Sequence, residues 1–365
     1  MEKTTMKLAR KIQITVDLPT AEKRKEVLAK LNRWQEISVR AANLIMSHLY
    51  VQLMIKDFLY LSEGVKYKLV DERKDAHGIL QGSHSNSTYR MLSARFKGEI
   101  PVNILTYLNH ELMGNFKRKY MDYLNGSCSL HNFRRDRGFA FGTEGFRHLH
   151  YNEEKKAYCF RLFKIPFKVY LGKNSADKHK LLQQVITGDV KLLRSKIKLE
   201  RGKIFWLPSF EIPKEKHRLQ PEIVAEASLS LEHPITVKIG RNKLQIGSKE
   251  TFLHQRLAIQ AARARIKAAA SYCRGGNGKE RKLKALERFD GMESNYVNTR
   301  LHEYSRRLID FCVEHHAATL VLLDMDEKTE IAKEEQFVLR NWSYYELLTK
   351  IKYKAEKAGI ELITT

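Results

Sequence analysis

The sequence predicts an α+β protein of more than one domain. Three observations predict it. A long amphipathic helical stretch lies between two strand-rich stretches, a polar segment with a proline at each end spans 213–221, and strands alternate with helices beyond it. The first half is expected to be a β-barrel or sandwich interrupted by a helical insertion, and the second half an α/β domain.

Residues 6–18 alternate through Leu8, Ile12, Ile14 and Val16 and stop at Pro19, which reads as a strand. Thr20 then caps an amphipathic helix in which Leu28, Leu31, Trp34, Ile37, Ala41, Leu44, Ile45, His48 and Leu49 recur at three- and four-residue steps. A polar break is expected at 71–88. A second helical block runs from about Tyr89 to Leu124, interrupted near Gly98–Pro101 and closed by Asn125–Gly126. From 127 to 213 the period becomes two, and K-L-E-R-G-K-I-F-W-L reads as a hairpin turning near Arg201–Gly202. The expected domains are therefore a barrel from 1–19 and 126–213, a helical insertion at 20–125, a linker at 214–224, and a second domain at 225–365.

In that second domain, short strands are expected at 226–231, 235–239 and 243–247. A basic helical region covers 251–315, a buried strand 319–323, a helix about Trp342 to Lys357, and Gly359 opens a last strand. Three antiparallel strands, a helix, a buried strand, a helix and another strand is the order of an RNase H-like fold.

Lys and Arg number 66 against 42 Asp and Glu, a net charge of +24 at pH 7. A surplus of that size repels itself unless a polyanion neutralises it, so nucleic acid is the leading partner. A generically basic component such as a ribosomal protein has the same composition. No stretch approaches the roughly 20 apolar residues of a spanning helix, and the N-terminus lacks the apolar block of a signal peptide; a cytoplasmic protein without a membrane partner is expected. Cys128, Cys159, Cys273 and Cys312 lie far apart, the spacing of ordinary thiols rather than of a disulfide framework or zinc ribbon. No cofactor is implied.

Residues 225–237 read A-E-A-S-L-S-L-E-H-P-I-T-V, and 342–362 read W-S-Y-Y-E-L-L-T-K-I-K-Y-K-A-E-K-A-G-I-E-L. With N-T-R-L-H-E-Y-S-R-R-L-I-D-F (298–311) and G-S-C-S-L-H-N-F-R-R-D (126–136), these resemble TnpB proteins and the miniature type V-F CRISPR effectors, strongest at 226–237 and 298–362. The resemblance implies a wedge-like barrel with a REC-like helical insertion, followed by a RuvC-like domain. It also implies where a nuclease would carry its metal ligands. The family's G-I-D-L-G-x-x-x-P appears here as A-S-L-S-L-E-H-P, so Ser228 stands at the first aspartate. The second motif, E-D-L, is met by L-V-L-L-D-M, with Leu323 at the glutamate. The zinc ribbon and third carboxylate would follow the last strand, and the sequence stops at Thr365. Two-metal cleavage needs convergent carboxylates around Mg²⁺, so a truncated, nuclease-dead domain is expected. A rearranged site using Asp310, Asp324 or Asp326 is the alternative.

Three basic groups are candidates for nucleic acid. Arg263, Arg265 and Lys267 precede R-G-G-N-G-K, and Arg274, Lys279, Arg281, Lys282 and Lys284 lie in or after it; over 261–288 nine basic residues face two acidic ones. A solvated helix face has the same pattern. Arg134, Arg135 and Arg137 alternate with Phe133, Phe139 and Phe141, which suits RNA if the rings stack on bases and suits a barrel core if they do not. By resemblance, Ser85, Asn86, Thr88, Tyr89 and Arg90 are placed to read the short DNA motif flanking a target. His148 and His150 would share a strand face, a weak metal signal, and His315 and His316 sit at a helix C-terminus. The implied partners are a guide RNA, target double-stranded DNA and a second copy of the chain. The implied use is control of transcription by blocking RNA polymerase or by recruiting it through an alternative sigma factor. A structural RNA-binding protein remains the third possibility.

Overall fold

In the computed structural model, residues 5–63, 83–172, 175–200, 202–230, 232–323 and 343–365 are described, and the fold is mixed α and β. The chain divides into two compact units, Lys7–Ile212 and Met1–Met6 with Pro213–Thr365. No described helix is long and apolar enough to cross a membrane.

The alternation over 6–18 yields two strands, β1 (Thr5–Ala9) and β2 (Ile12–Val16), in different sheets. The chain turns between them because the Arg10 amide donates to the Pro208 carbonyl at 3.1 Å while its guanidinium holds Asp177 at 2.7 Å. Helix α1 (Ala21–Glu63) follows, about 65 Å long at 1.5 Å per residue. Leu31, Trp34, Ile37, Ala41, Ile45 and Leu49 form its buried stripe. It packs on α2 (His84–Phe96) and α3 (Val102–Arg118); α4 (Tyr120–Leu124) closes the group. Helix α2 starts five residues before the predicted Tyr89, since Ser83 caps it: its hydroxyl accepts from the Asn86 amide at 3.2 Å.

Eight strands follow: β3 (Phe139–Phe141), β4 (Phe146–Asn152), β5 (Ala157–Leu162), β6 (Ile165–Tyr170), β7 (Lys191–Leu192), β8 (Ser195–Glu200), β9 (Lys203–Leu207) and β10 (Ser209–Pro213). Six of them join β2 in an antiparallel sheet of order β3-β8-β9-β2-β6-β5-β4, and β1-β10-β7 form a small second sheet. Three strands separate β9 from β4, yet Trp206 of β9 stacks on Phe146 of β4 at 5.1 Å and lies 4.9 Å from Phe160 of β5. The sheet therefore curls around these rings. The hairpin at 201–202 forms in the expected register, Glu200 opposite Lys203, with Gly202 at φ +73°. Periodicity missed α5 (Ala176–Thr187), a twelve-residue helix inside the strand-rich stretch, stopped by left-handed Gly188.

The C-terminal unit has a five-stranded sheet of order β13-β12-β11-β14-β15. Strands β11 (Gln220–Ser228), β12 (Ile235–Ile239) and β13 (Asn242–Ile246) are antiparallel, and β14 (Ala317–Leu323) and β15 (Glu361–Thr364) add in parallel. Strand β11 begins at Gln220 and ends at Ser228, so 220–224 are strand and not linker, 229–230 are not strand, and 231 lies outside the described residues. Leu219 and Ile223 pack against the core and hold that stretch extended. Between β13 and β14 run α6 (Lys249–Ser271) and α7 (Gly276–Glu314); α8 (Tyr344–Ala358) precedes β15, with Gly359 left-handed at φ +77°. Ala225, Ala227, Leu320 and Leu322 supply the sheet side of the core, and Leu308, Ile351 and Ala355 the helix side, all fully buried. Burial among them pushes the Cys312 thiol up to about 12.

Lys354 ties α8 to α7, donating to the His302 carbonyl and to Ser305 Oγ. Burial, then the nearby charges of Arg306 and Lys350, pull its ammonium down to about 8 from 10.5. The unfolded chain therefore binds the extra proton between those values, so this group's contribution to stability rises with pH from about 8 to about 10.5. Replacing Lys354 with Met is expected to remove that rise. Urea unfolding of both proteins at pH 7.5 and pH 10 checks it; an identical pH dependence in the two contradicts it.

Candidate nucleic-acid interface

Strands β11 and β14 pair with Ala227 opposite Leu322 and Ser228 opposite Leu323. The two positions at which the sequence reading sought carboxylates are thus lateral neighbours on adjacent parallel strands. Ala227 and Leu322 are fully buried, so Ser228 and Leu323, one residue on, face the other side, where both are half-buried. A hydroxymethyl and an isobutyl group meet there, and neither is an anionic oxygen donor. Glu226 and Val321 continue the same face, with Lys238 opposite Glu226 on β12. The turn that follows is fixed by Ser230, whose hydroxyl donates to the His233 carbonyl at 2.9 Å, and by the His233 ring on the Gly247 carbonyl at 3.0 Å. Asp310 is on α7, exposed and ion-paired with Arg306 at 2.8 Å. Asp324 and Asp326 lie outside the described residues. Among the described residues no group of three or more His, Cys, Asp or Glu is placed to hold a metal ion.

The basic helical region is two helices folded against each other, broken at Tyr272–Gly275, with Gly276 at φ +75°. Arg256 and Gln260 of α6 both donate to the Glu293 carboxylate of α7, at 2.9 and 2.7 Å, and the Tyr296 hydroxyl donates to the Thr251 and Phe252 carbonyls. Burial raises Glu293, but the bonds from Gln260 and Arg256 and the charges of Arg256 and Arg263 outweigh it and hold the carboxyl below its usual range. The three residues grouped by sequence therefore do not act as one. Residues two apart on a helix point about 200° apart, so Arg263 and Lys267 share the side of Arg256 and Gln260. Arg265 shares the opposite, exposed side with Ala261 and Ala268. Arg274 in the break and Lys279, Arg281, Lys284 and Arg288 beyond it are exposed, and Arg281, Lys284 and Arg288 lie on one stripe. Lys282 is engaged otherwise: its ammonium donates to the Ala269 carbonyl at 3.0 Å and to Cys273 Sγ at 3.1 Å, closing the end of α6.

In the N-terminal unit, the Asn43 side chain clamps the Phe133 backbone through two bonds, 2.7 and 3.1 Å, and Gln35 holds the Arg135 carbonyl at 3.1 Å. The loop carrying the arginines is thereby docked on α1, with Arg134 and Arg135 exposed. Arg137 is not available in the same way. It is partly buried, 4.0 Å over the Phe133 ring and 3.5 Å from Glu111. Burial lowers its guanidinium pKa against the pull of Glu111. Phe139 and Phe141 are core, which decides their role against base stacking.

Of the motif-reading candidates on α2, Thr88 is fully buried and donates to the His84 carbonyl, so it cannot face DNA. The Ser85 carbonyl accepts from Asn109 at 3.0 Å. Asn86 and Arg90 are exposed one turn apart, with Tyr89 beside them half-buried. His148 and His150 do not share a strand face in the expected way, because β4 bulges between Arg147 and His150 and His148 is left-handed at φ +57°. His316 caps no helix carbonyl with its ring, which meets the Arg218 carbonyl at 2.9 Å. No local pattern marks the half-buried polar group joining α1 and α2, where the His48 ring meets Gln52 at 2.6 Å and Ser87 at 3.2 Å; burial lowers the His48 pKa.

No family model matches the chain. Two curated proteins, both named CRISPR-associated endodeoxyribonuclease Cas12f1, are similar to it. One, from Sulfoacidibacillus thermotolerans, is 33% identical over 123 residues, 34% of this chain and 28% of that protein. The other, from Syntrophomonas palmitatica, is 25% identical over 170 residues, 45% of this chain and 33% of that protein. Over those stretches the chain is similar to miniature type V-F CRISPR effectors. A solved Cas12f1 complex with single-guide RNA and target DNA shares its fold, with a TM-score of 0.60 at 16% identity over 99% of this chain and 89% of that one. The chain matches a third or less of the length of the curated type V-F relatives.

Each exposed cation that meets a phosphate contributes about 0.7–0.9 to the slope of log K against log salt. Replacing Arg281, Lys284 and Arg288 together with Ala is expected to lower the slope for nucleic acid by about 2–3. Anisotropy titrations between 50 and 300 mM KCl measure it, and an unchanged slope removes the stripe from the interface.

Proposed function

We propose that this chain is an RNA-guided DNA-binding protein that holds its target without cutting it. One observation carries this: the paired strands β11 and β14 present Ser228 beside Leu323 where the family's pattern calls for two acidic side chains. A hard dication bound by neither position has no reason to sit between the attacking and leaving oxygens of a phosphodiester. Binding is a separate matter. In RNA-guided systems base pairing reads the target, and the protein grips the heteroduplex backbone through positive charge and reads a short flanking motif. The net charge of +24 and the exposed cations of α6 and α7 supply that grip.

In detail, the curled sheet acts as the wedge-like barrel, α1 to α4 as its REC-like insertion, and the C-terminal unit as a RuvC-like clamp. Asn86, Tyr89 and Arg90 are the candidates for contact with the flanking motif. An uncut, RNA-paired target controls transcription, either by obstructing RNA polymerase or by recruiting it through an alternative sigma factor, with two copies of the chain on one guide. The relatives' name as endodeoxyribonucleases favours a second reading, cleavage through Asp310, Asp324 or Asp326.

The deciding experiment incubates protein and co-purified RNA with matched duplex DNA and 10 mM Mg²⁺. Intact DNA is expected, with a footprint confined to the matched site. Guide-directed strand scission establishes the second reading instead. Binding of RNA with no gain in DNA affinity from a match establishes a structural RNA-binding protein.

A further inference from the structure

The curled sheet carries a basic site that no run of charge in the sequence marks. Arg147 of β4 and Arg161 of β5 are direct cross-strand partners, and both are exposed. Like charges placed opposite each other on an antiparallel pair repel. Neither arginine makes an ion pair with a described residue, so nothing in the described chain offsets that repulsion. An anion between them would.

The backbone around the pair is strained. Strand β4 gains one residue just after Arg147, leaving His148 left-handed at φ +57°. The two-residue turn from β5 to β6, Phe163–Lys164, has φ values of +49° and +69°. Such turns ordinarily take Asn-Gly. Phe163 is held there by the rings of Trp34 and Phe141, at 5.6 and 6.0 Å, and by Gly145, where a Cβ would come within 2.6 Å of the ring. The turn is thereby fixed with Lys164 exposed. Residues in rare backbone conformations cluster at ligand clamps.

Two clefts open at this place, of about 450 and 350 Å³, and His148 and Arg161 line both. Volumes in this range hold single small ligands rather than a duplex. Their acids are already engaged: Asp17 pairs with Lys155 at 2.6 Å, and Glu144 accepts from Asn103. His150 Nδ1 lies 2.9 Å from the His148 carbonyl. A carbonyl only accepts, so Nδ1 carries the proton and the Nε2 of the neutral ring is left as an acceptor.

We propose that this double cleft binds an unpaired stretch of RNA. Arg147, Arg161 and Lys164 take successive phosphates, and His150 Nε2 accepts from a 2′-hydroxyl, the group that separates RNA from DNA. This deepens the proposed RNA-binding role and rests on it.

The test uses the full chain and ten-nucleotide oligonucleotides carrying 4-thiouridine, with 4-thiothymidine DNA as the counterpart. Photocrosslinks are mapped by mass spectrometry, and affinity is followed against salt. Crosslinks within 144–167 are expected for RNA. Arg161→Glu places an acid opposite Arg147, so it should keep or raise Tm while weakening RNA binding at least tenfold and lowering the salt slope by about 1.4, two charges at ~0.7 each. Should that variant unfold, Arg161→Gln is expected to lose about half that slope with Tm kept or raised. Wild-type slope in a folded variant, crosslinks only outside 144–167, or equal crosslinking of DNA overturns the proposal. Crosslinking here with no guide-dependent DNA affinity sinks only the guide-directed reading; guide-dependent binding without these crosslinks sinks only this one.

Discussion

The parallel pairing of β11 with β14 is the constraint on which the C-terminal unit depends. Ala225 and Ala227 are small because α7 and α8 pack down onto their face, and Leu320 and Leu322 complete that face from the neighbouring strand. Side chains alternate strictly along a strand, so a slip of one residue would turn Leu320 and Leu322 outward and empty the core. Burial therefore locks the register, and the register places Leu323 beside Ser228. What stands beside Ser228 is in this sense a property of packing as well as of composition.

Positive charge is distributed in two ways. Some cations are consumed by the fold: Arg137 between Phe133 and Glu111, Lys282 on the end of α6, Arg256 on Glu293, Lys354 on α7. Others stand exposed on helix faces, as Arg265, Arg281, Lys284 and Arg288 do. Only the second kind can release counterions from a nucleic acid. A charge count mixes the two, so the net surplus overstates the interface and says nothing of where it lies. The facing arginines of β4 and β5 are a third case, in which the fold itself sets like charges together.

Similarity to the two Cas12f1 proteins covers less than half of this chain, while the shared fold extends over nearly all of it. The difference has a physical origin. A fold is maintained by the pattern of buried and exposed positions, which tolerates wide substitution at constant volume. Metal ligation tolerates almost none, because it depends on particular oxygen atoms at particular positions. A chain can keep the first while losing the second, and the proposed reading of Ser228 and Leu323 is of that kind.

The sequence by itself determined the α+β class, the long amphipathic α1 and the hairpin at 201–202. These are legible because periodicity and turn residues are local signals that survive without a structure; Ser228 and Leu323 were marked only by the family resemblance. It did not determine that 6–18 is two strands, that α5 interrupts the strand-rich stretch, or that 220–224 is strand, since each was decided by partners far away in sequence, such as Pro208 for Arg10. Nor could it sort the candidate residues: Thr88 is buried, Arg263 and Arg265 point apart, and Arg137 is occupied. Which side chains share a face, and which charges remain for a ligand, follow from register and packing between distant segments, and only the tertiary structure fixes those.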